Sequence, residues 1–304
     1  MTQTITQARA ATKRPARSHK RVRSLYPKWF YLPAAVIYIP LFLIPTIASF
    51  FFSFTRWTLS DFTFIGLDNF VTFFKDPSLL LGLRNTFVFA VVTAVLKVVL
   101  GLLLAVFLTG SMRGKGAYRA IVFFPVIVST VGVGFTFSAL MRPEGLINDS
   151  LAVIGIHGPD WLGNPNLALL SVASVEVWKG LGFAAVIFMA GIVSIPQELY
   201  EAARVDGANG WHSFWNITVP LVRPATATVT LLSVIAGLRS FEMIWAMTQG
   251  GPAGRSDVIS SLIYKEYAAG FYGLSTAGNV VLFLIVAAVA FPMSYFLTRR
   301  ETQF

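Results

Sequence analysis

Five charged side chains sit inside otherwise apolar stretches of this 304-residue chain: Lys97, Glu176, Lys179, Arg239 and Glu242. A lysine at the centre of a bilayer costs about 2.5–3.5 kcal/mol on insertion scales, so it needs a partner or a wet cavity. Glu176 with Lys179, and Arg239 with Glu242, stand three residues apart, so each pair can close on its own helix. Trp245 adds an aromatic face nearby in sequence. Two kinds of chemistry suit these six residues. They can line a polar path for a solute, with Trp245 offering it an aromatic face, or they can pair with one another and fix packing. The residues alone leave both open.

The groups needed to make or break covalent bonds are missing. There is no cysteine, which excludes disulfides, iron–sulfur clusters and thiolate zinc sites. The three histidines, His19, His157 and His212, lie outside the long apolar stretches, no H-E-x-x-H occurs, and no Ser-His-Asp set is recognisable. Residues 110–116, GSMRGKG, fail the phosphate-loop pattern: three residues separate the first two glycines where four are needed, and Gly116 replaces the hydroxyl residue after Lys115. No catalytic residue, metal ligand or cofactor is expected in this chain.

What must position these residues is a membrane bundle. The chain is 55% hydrophobic and 12% charged, with mean hydropathy +0.68. Soluble domains carry about 25% charged residues, so a soluble globular protein is excluded, and disorder needs far less apolar content. The expected fold is an all-α integral membrane protein with six transmembrane helices at 29–54, 84–109, 118–141, 167–194, 220–248 and 276–298. Gly132, Gly134 and Ser138 thin the third, and Pro33, Pro40 and Pro45 interrupt the first, which neighbouring helices can tolerate. No strong internal repeat is visible, which disfavours a secondary transporter built of inverted halves.

Net charge is +10, and residues 1–28 hold eight Lys and Arg with no acid. On charge alone such a tail suits nucleic acid. Next to an apolar span it reads instead as a disordered basic cytoplasmic tail, with no nucleic-acid partner. The span that follows is too long for a secretory signal and closes on no A-x-A site. Of 24 basic residues, 15 fall on the side of the N-terminus, 6 on the far side and 3 within spans. That bias puts both termini, and the 195–219 connection, in the cytoplasm. The chain is thus organised as tail 1–28 and membrane domain 29–304.

The connection at 194–220, SIPQELYEAARVDGANGWHSFWNITVP, is no ordinary turn. Ser194 and Gln197 fit a capping box, with Pro196 in the first turn. A short helix then carries Glu201, Ala202 and Ala203, and Asp206-Gly207 ends it ahead of Ala208. Trp211, Phe214 and Trp215 share one face of a second short helix, with Ile217 a turn further. Small residues on one limb admit another backbone closely, and a Trp/Phe face suits a pocket on a partner. An interfacial helix pair with its aromatics in the headgroup layer fits equally.

EAARVDGA, with Phe214, Ile217, Pro220 and Pro224 after it, resembles the EAA loop of permease subunits of bacterial ABC importers, above all the carbohydrate-uptake branch that includes the maltose and glycerol-3-phosphate permeases. Val219 stands where leucine is usual, an apolar exchange. Further segments resemble that branch: FIGLDNFVTFF (64–74), Asn85-Thr86, GLLLA (101–105), Arg113-Gly114, Tyr118-Arg119, Phe124-Pro125, Gly145 with Asn148, Trp178-Lys179 and TQGGP (248–252). The resemblance implies a type I ABC importer permease core in the bacterial inner membrane, working beside a second homologous permease subunit, two ATPase subunits and an extracytoplasmic sugar-binding protein. ATP and Mg would then belong to the ATPases. It assigns ATPase coupling to Glu201, Ala202, Ala203, Asp206, Gly207, Ala208, Trp211, Phe214 and Ile217. It would also set the segment 256–272, after an outer turn at Gly250-Gly251-Pro252, near the binding protein, although this reads equally as a simple connecting turn. A stand-alone transporter or channel, or a membrane-embedded transferase, is the competing expectation.

A single cysteine introduced between residues 195 and 219, in this chain that has none, is expected to react with an impermeant maleimide in inside-out vesicles only. Labelling confined to right-side-out vesicles would overturn the orientation.

Overall fold

The computed structural model describes residues 28–58, 60–110 and 114–298. The basic tail up to residue 27, Arg113, Arg299 and Arg300 lie outside the described residues.

The first apolar helix, α1 (Trp29–Phe52), absorbs its prolines in two ways. Pro33 sits in the first turn of a helical segment, where no N–H is needed. Pro40 lies in a π turn, Ile39–Leu43, and Pro45 just after it; there the Ile44 N–H reaches back five residues to the Ile39 carbonyl. Contacts divide the chain into one unit ending at Thr46 and another starting at Ile47. The remaining description concerns the second.

A small antiparallel hairpin, β1 (Thr55–Trp57) and β2 (Phe62–Phe64), sets Trp57 opposite Phe62. The apolar-run reading did not anticipate it. Asn69, on α2 (Asp68–Lys75), holds it: its Nδ2 donates to the carbonyls of Ser53 (2.9 Å) and Thr55 (2.8 Å).

The long α3 (Pro77–Thr109) starts seven residues before the expected span, because Asp76 caps it. The Asp76 carboxylate accepts from the backbone N–H groups of Ser78 and Leu79, and Pro77 takes the first helical position. After it come α4 (Lys115–Ile127), α5 (Thr130–Leu140), α6 (Leu146–Val153), α7 (Ala168–Val193), α8 (Gln197–Val205), α9 (Gly210–Leu221), α10 (Arg223–Leu238), α11 (Glu242–Met247), α12 (Ile259–Ala268) and α13 (Tyr272–Thr298). Among the described residues four helices (α1, α3, α7, α13) are long and apolar enough to cross a membrane; six spans result if the bent pairs α4/α5 and α9/α10 each count as one.

Two expected spans are therefore not straight. The third breaks by 97° between Ile127 and Thr130. Pro125 removes one N–H from α4, and Val128 and Ser129 turn extended before the Ser129 carbonyl opens α5 by accepting from Val133. The fifth is cut twice. It bends 66° at Val222, between Pro220 and Pro224. It stops again at Leu238, and helix resumes only at Glu242.

Small residues bring the central helices together. A Cβ on Gly101 would lie 2.9 Å from the Ala184 Cβ, one on Gly182 would lie 2.3 Å from the Val122 carbonyl, and one on Gly237 would lie 2.6 Å from the Ala90 Cα. One core cluster centres on Phe89, Val172, Val175 and Ile244 of α3, α7 and α11. A second gathers Phe73, Leu79, Ile259 and Val281 of α2, α3, α12 and α13.

The turn after α11 is held onto α3. Asn85 Nδ2 donates to the Arg255 and Asp257 carbonyls, both at 2.9 Å, and the Ile259 N–H donates to Thr86 Oγ1 at 2.9 Å. Buried Asp257 accepts from Ser261 Oγ (2.7 Å) and pairs with Lys265 Nζ (2.7 Å). Gly250, at φ +85°, leaves no room for a side chain, since a Cβ would fall 1.8 Å from Asp257 Oδ1.

Gly250→Ala is expected to destabilise the chain by more than about 2 kcal/mol, through left-handed strain plus a buried clash. Gly155→Ala, at φ +79° with open space around it, carries the strain alone. Thermal unfolding in detergent compares the two; equal shifts would contradict the packing argument.

Candidate functional site

The 195–219 connection folds as an elbow of two short helices. Limb α8 does not begin with the expected capping box. Ser194 Oγ instead donates to the Gly191 carbonyl (2.7 Å), and Pro196 stands before the helix as an extended N-cap residue without a capping side chain. The C-terminus follows expectation closely. Gly207 takes φ +82°, its N–H donates to the Arg204 carbonyl (3.1 Å), and the Ala208 N–H reaches the Ala203 carbonyl (2.8 Å). This Schellman arrangement satisfies the last carbonyls of α8 and turns the chain sharply.

Limb α9 starts at a cap the sequence reading left out: Asn209 Oδ1 accepts from the His212 N–H at 2.9 Å. The expected aromatic face forms. Ring centroids lie 5.7 Å apart for Trp211–Trp215, 5.1 Å for Phe214–Trp215 and 6.3 Å for Trp211–Phe214. Trp211 is 68% exposed, an expensive position for indole unless lipid or a partner covers it. Glu201, Ala202, Asp206 and Gly207 are exposed; Ala203, Ala208, Phe214 and Ile217 are half-buried. Ala203, Asp206, Gly207, Ala208 and Ile217 border a cleft of about 370 Å³ between the limbs. A π turn, Phe214–Thr218, precedes Pro220 and carries the Val219 N–H back to the Phe214 carbonyl. Tyr200 and Thr218, which the sequence reading also left out, join the limbs by a hydroxyl–hydroxyl hydrogen bond of 2.9 Å.

The interior charges pair differently from the sequence expectation. Glu176 does not close on Lys179. It accepts from Lys97 Nζ at 2.8 Å, across from α7 to α3, and Lys97 is only 6% exposed. The reason is packing: a Cβ on Gly180 would sit 2.6 Å from Lys97 Cε, so the absent side chain leaves a channel for the lysine. Lys179 is half-buried, with no carboxylate within ion-pair distance among the described residues. Arg239 and Glu242 do not share a helix. Arg239 is the first of the unwound residues 239–241 and Glu242 opens the helix after them, and both are exposed. Unwinding there leaves the two charges outside the packed core instead of forcing both onto one turn of a span. Trp245 stacks on Phe241 (5.7 Å) and meets Tyr264 edge-on (4.7 Å), so its ring belongs to an aromatic cluster whose Tyr264 is exposed.

At the end of α12, burial pushes the Glu266 carboxyl up, and the Asp76 charge adds to the shift. Asp76 itself is held below its ordinary value, first by the Ser78 hydroxyl. Among the described residues no group of three His, Cys, Asp or Glu side chains is able to hold a metal ion.

A broken-helix bundle with an elbow between its α7 and α10 crossings defines a class of transport protein, and comparison gives it a family. Residues 97–302 match the family described as binding-protein-dependent transport system inner membrane component. The chain is 33% identical to the probable ABC transporter permease protein YurN of Bacillus subtilis, over 91% of this chain and 98% of that relative. It is 32% identical to the trehalose/maltose transport system permease protein MalF of Thermococcus litoralis, over 84% and 88%. The fold matches a chain of a bacterial ABC transporter that imports the acidic polysaccharide alginate, with TM-score 0.80 and 26% identity over 90% and 95% of the two chains. This chain therefore belongs to the family of inner-membrane components of binding-protein-dependent transport systems. It is a multi-pass inner-membrane permease subunit, not an enzyme.

Removing one member of the Lys97–Glu176 pair strands the other in a buried site, so Glu176→Leu is expected to cost about 3 kcal/mol or more. Lys97→Met combined with Glu176→Leu should recover most of that loss. Thermal unfolding of the parent, the Lys97→Met and Glu176→Leu single variants and the double variant checks it; additive losses would show that the pair is not coupled.

Proposed function

We propose that the chain is the membrane-spanning permease subunit of an ATP-driven importer for a sugar or oligosaccharide. The observation that carries the reading is the elbow: a Schellman turn at Gly207 presents exposed Glu201 and Ala202 on one limb and the Trp211/Phe214/Trp215 face on the other. An exposed aromatic face beside small residues suits a groove on a partner subunit. That partner is an ATPase, contacted on the cytoplasmic side by Glu201, Ala202, Ala203, Asp206, Gly207, Ala208, Trp211, Phe214 and Ile217. ATP and Mg reside there and not on this chain. A second, homologous permease completes the pathway with two ATPases below it, both termini of this chain facing the cytoplasm.

The carbohydrate assignment draws support from the relatives. One is named for trehalose and maltose, another is the diacetylchitobiose uptake system permease protein NgcF of Streptomyces coelicolor, and one solved neighbour is in complex with an alginate pentasaccharide-bound periplasmic protein. A binding protein of that kind delivers the solute. Trp245, with Phe241 and Tyr264 around it, offers ring faces for a sugar's C–H groups, and exposed Arg239 and Glu242 offer hydrogen bonds near it. Lys179 is a further path candidate. Lys97 and Glu176 satisfy each other, which favours a packing role for them.

Alternating access then works as a population shift. ATP-driven closure of the ATPases binds one conformation of the elbow better than the other and tips the spans accordingly. Glu201→Ala and Gly207→Val are expected to lower solute uptake at least tenfold, with reduced ATPase co-purification. Unchanged uptake and association in both variants would overturn the coupling role.

A further inference from the structure

We infer that Tyr200 is a positioning residue: through its hydroxyl on Thr218 it makes the two limbs of the elbow move as one body. The inference rests on the coupling role proposed above. Limb α8 carries Glu201 and Ala202, but limb α9 is the one that leads into α10. Among the described residues, Tyr200 Oη to Thr218 Oγ1, at 2.9 Å, is the side-chain hydrogen bond that joins them outside the Gly207 turn.

Thr218 sits where a load can be passed on. It is 5% exposed and lies in the π turn that ends at the Val219 N–H. Its carbonyl accepts from the N–H of Val222 at 2.9 Å, and Val222 is the residue at which the chain bends 66° into α10. Val222 is itself fully buried, near the position where Gly191 of α7 meets Ala225. A displacement of α8 thus has a continuous route: Tyr200, Thr218, Val222, α10.

Without that route the displacement would be lost. A cavity of about 580 Å³ lies between the elbow and the ends of α3 and α7, bordered by Thr109, Ile192, Tyr200, Phe214 and Thr218. Pushing α8 would be taken up in that space unless something stiff ties it to α9. A tyrosine ring with its hydroxyl anchored is such a strut, having two side-chain torsions and a fixed end.

The test uses the assembled importer in liposomes and reads solute transported per ATP hydrolysed, with ATPase content measured alongside. Tyr200→Phe keeps the ring and removes the bond; Thr218→Val keeps the shape and removes the partner hydroxyl. Both are expected to assemble with normal ATPase content and to transport roughly three- to tenfold less per ATP, the range one hydrogen bond can bias. Thr218→Ser, which retains the hydroxyl, is expected to stay within about twofold of the parent. An unchanged ratio in Tyr200→Phe, or a fall in transport that merely follows a fall in assembled ATPase, would overturn the strut. Failure of the parent chain to assemble with an ATPase would instead overturn the coupling reading beneath it.

Discussion

Hydrocarbon offers no hydrogen-bond partner, so every backbone N–H and C=O at membrane depth must find one inside the protein. That constraint explains where this chain bends. The π turn in α1 re-routes the Ile44 N–H to Ile39, and the one before Pro220 re-routes Val219 to Phe214. At the α4/α5 break the Ser129 carbonyl is taken up at once by Val133. Where α10 stops, the Arg239 N–H still reaches Ile235 and the Ser240 N–H reaches Gly237. At each of these departures from straight helix the N–H groups named here keep a carbonyl partner within the chain, as a broken span requires.

The same economy applies to side chains. A lysine in the core of α3 is tolerable because α7 brings a carboxylate to 2.8 Å and a glycine that clears the way. Gly101 against Ala184, four residues further along both helices, continues the close seam. The α3–α7 pair is thereby a stiff unit, and it carries the elbow at its end. Relative motion falls more naturally at the bends, α4/α5 and Val222, where helices meet at steep angles.

Much of the elbow was legible in sequence because its signals are local. Gly207 after Asp206 announces a left-handed C-terminus, and Trp211, Phe214 and Trp215 at helical spacing announce a face. The Ser194–Gln197 capping box failed for an equally local reason, since Pro196 keeps the backbone extended and Ser194 turns back to Gly191. Several scattered motifs turn out to be pins between distant segments. Asn85-Thr86 and TQGGP meet through residues 255–259, Asn69 holds the hairpin, and Asn148 accepts from Trp161 Nε1 at 2.7 Å. Their residue types were noticed, but no spacing rule relates positions 85 and 257.

Composition, apolar run lengths and basic-residue bias determined by themselves that this is a multi-span helical membrane protein, because the transfer of side chains into hydrocarbon is nearly additive along the chain. Its elbow was readable for the same reason of locality. Only the tertiary structure decided that Glu176 belongs to Lys97 instead of Lys179, that Arg239 and Glu242 stand on either side of a break, and that Tyr200 reaches Thr218. Pairings between helices depend on which small residues allow two backbones to approach, and that is a property of the packed bundle, not of any one stretch of chain.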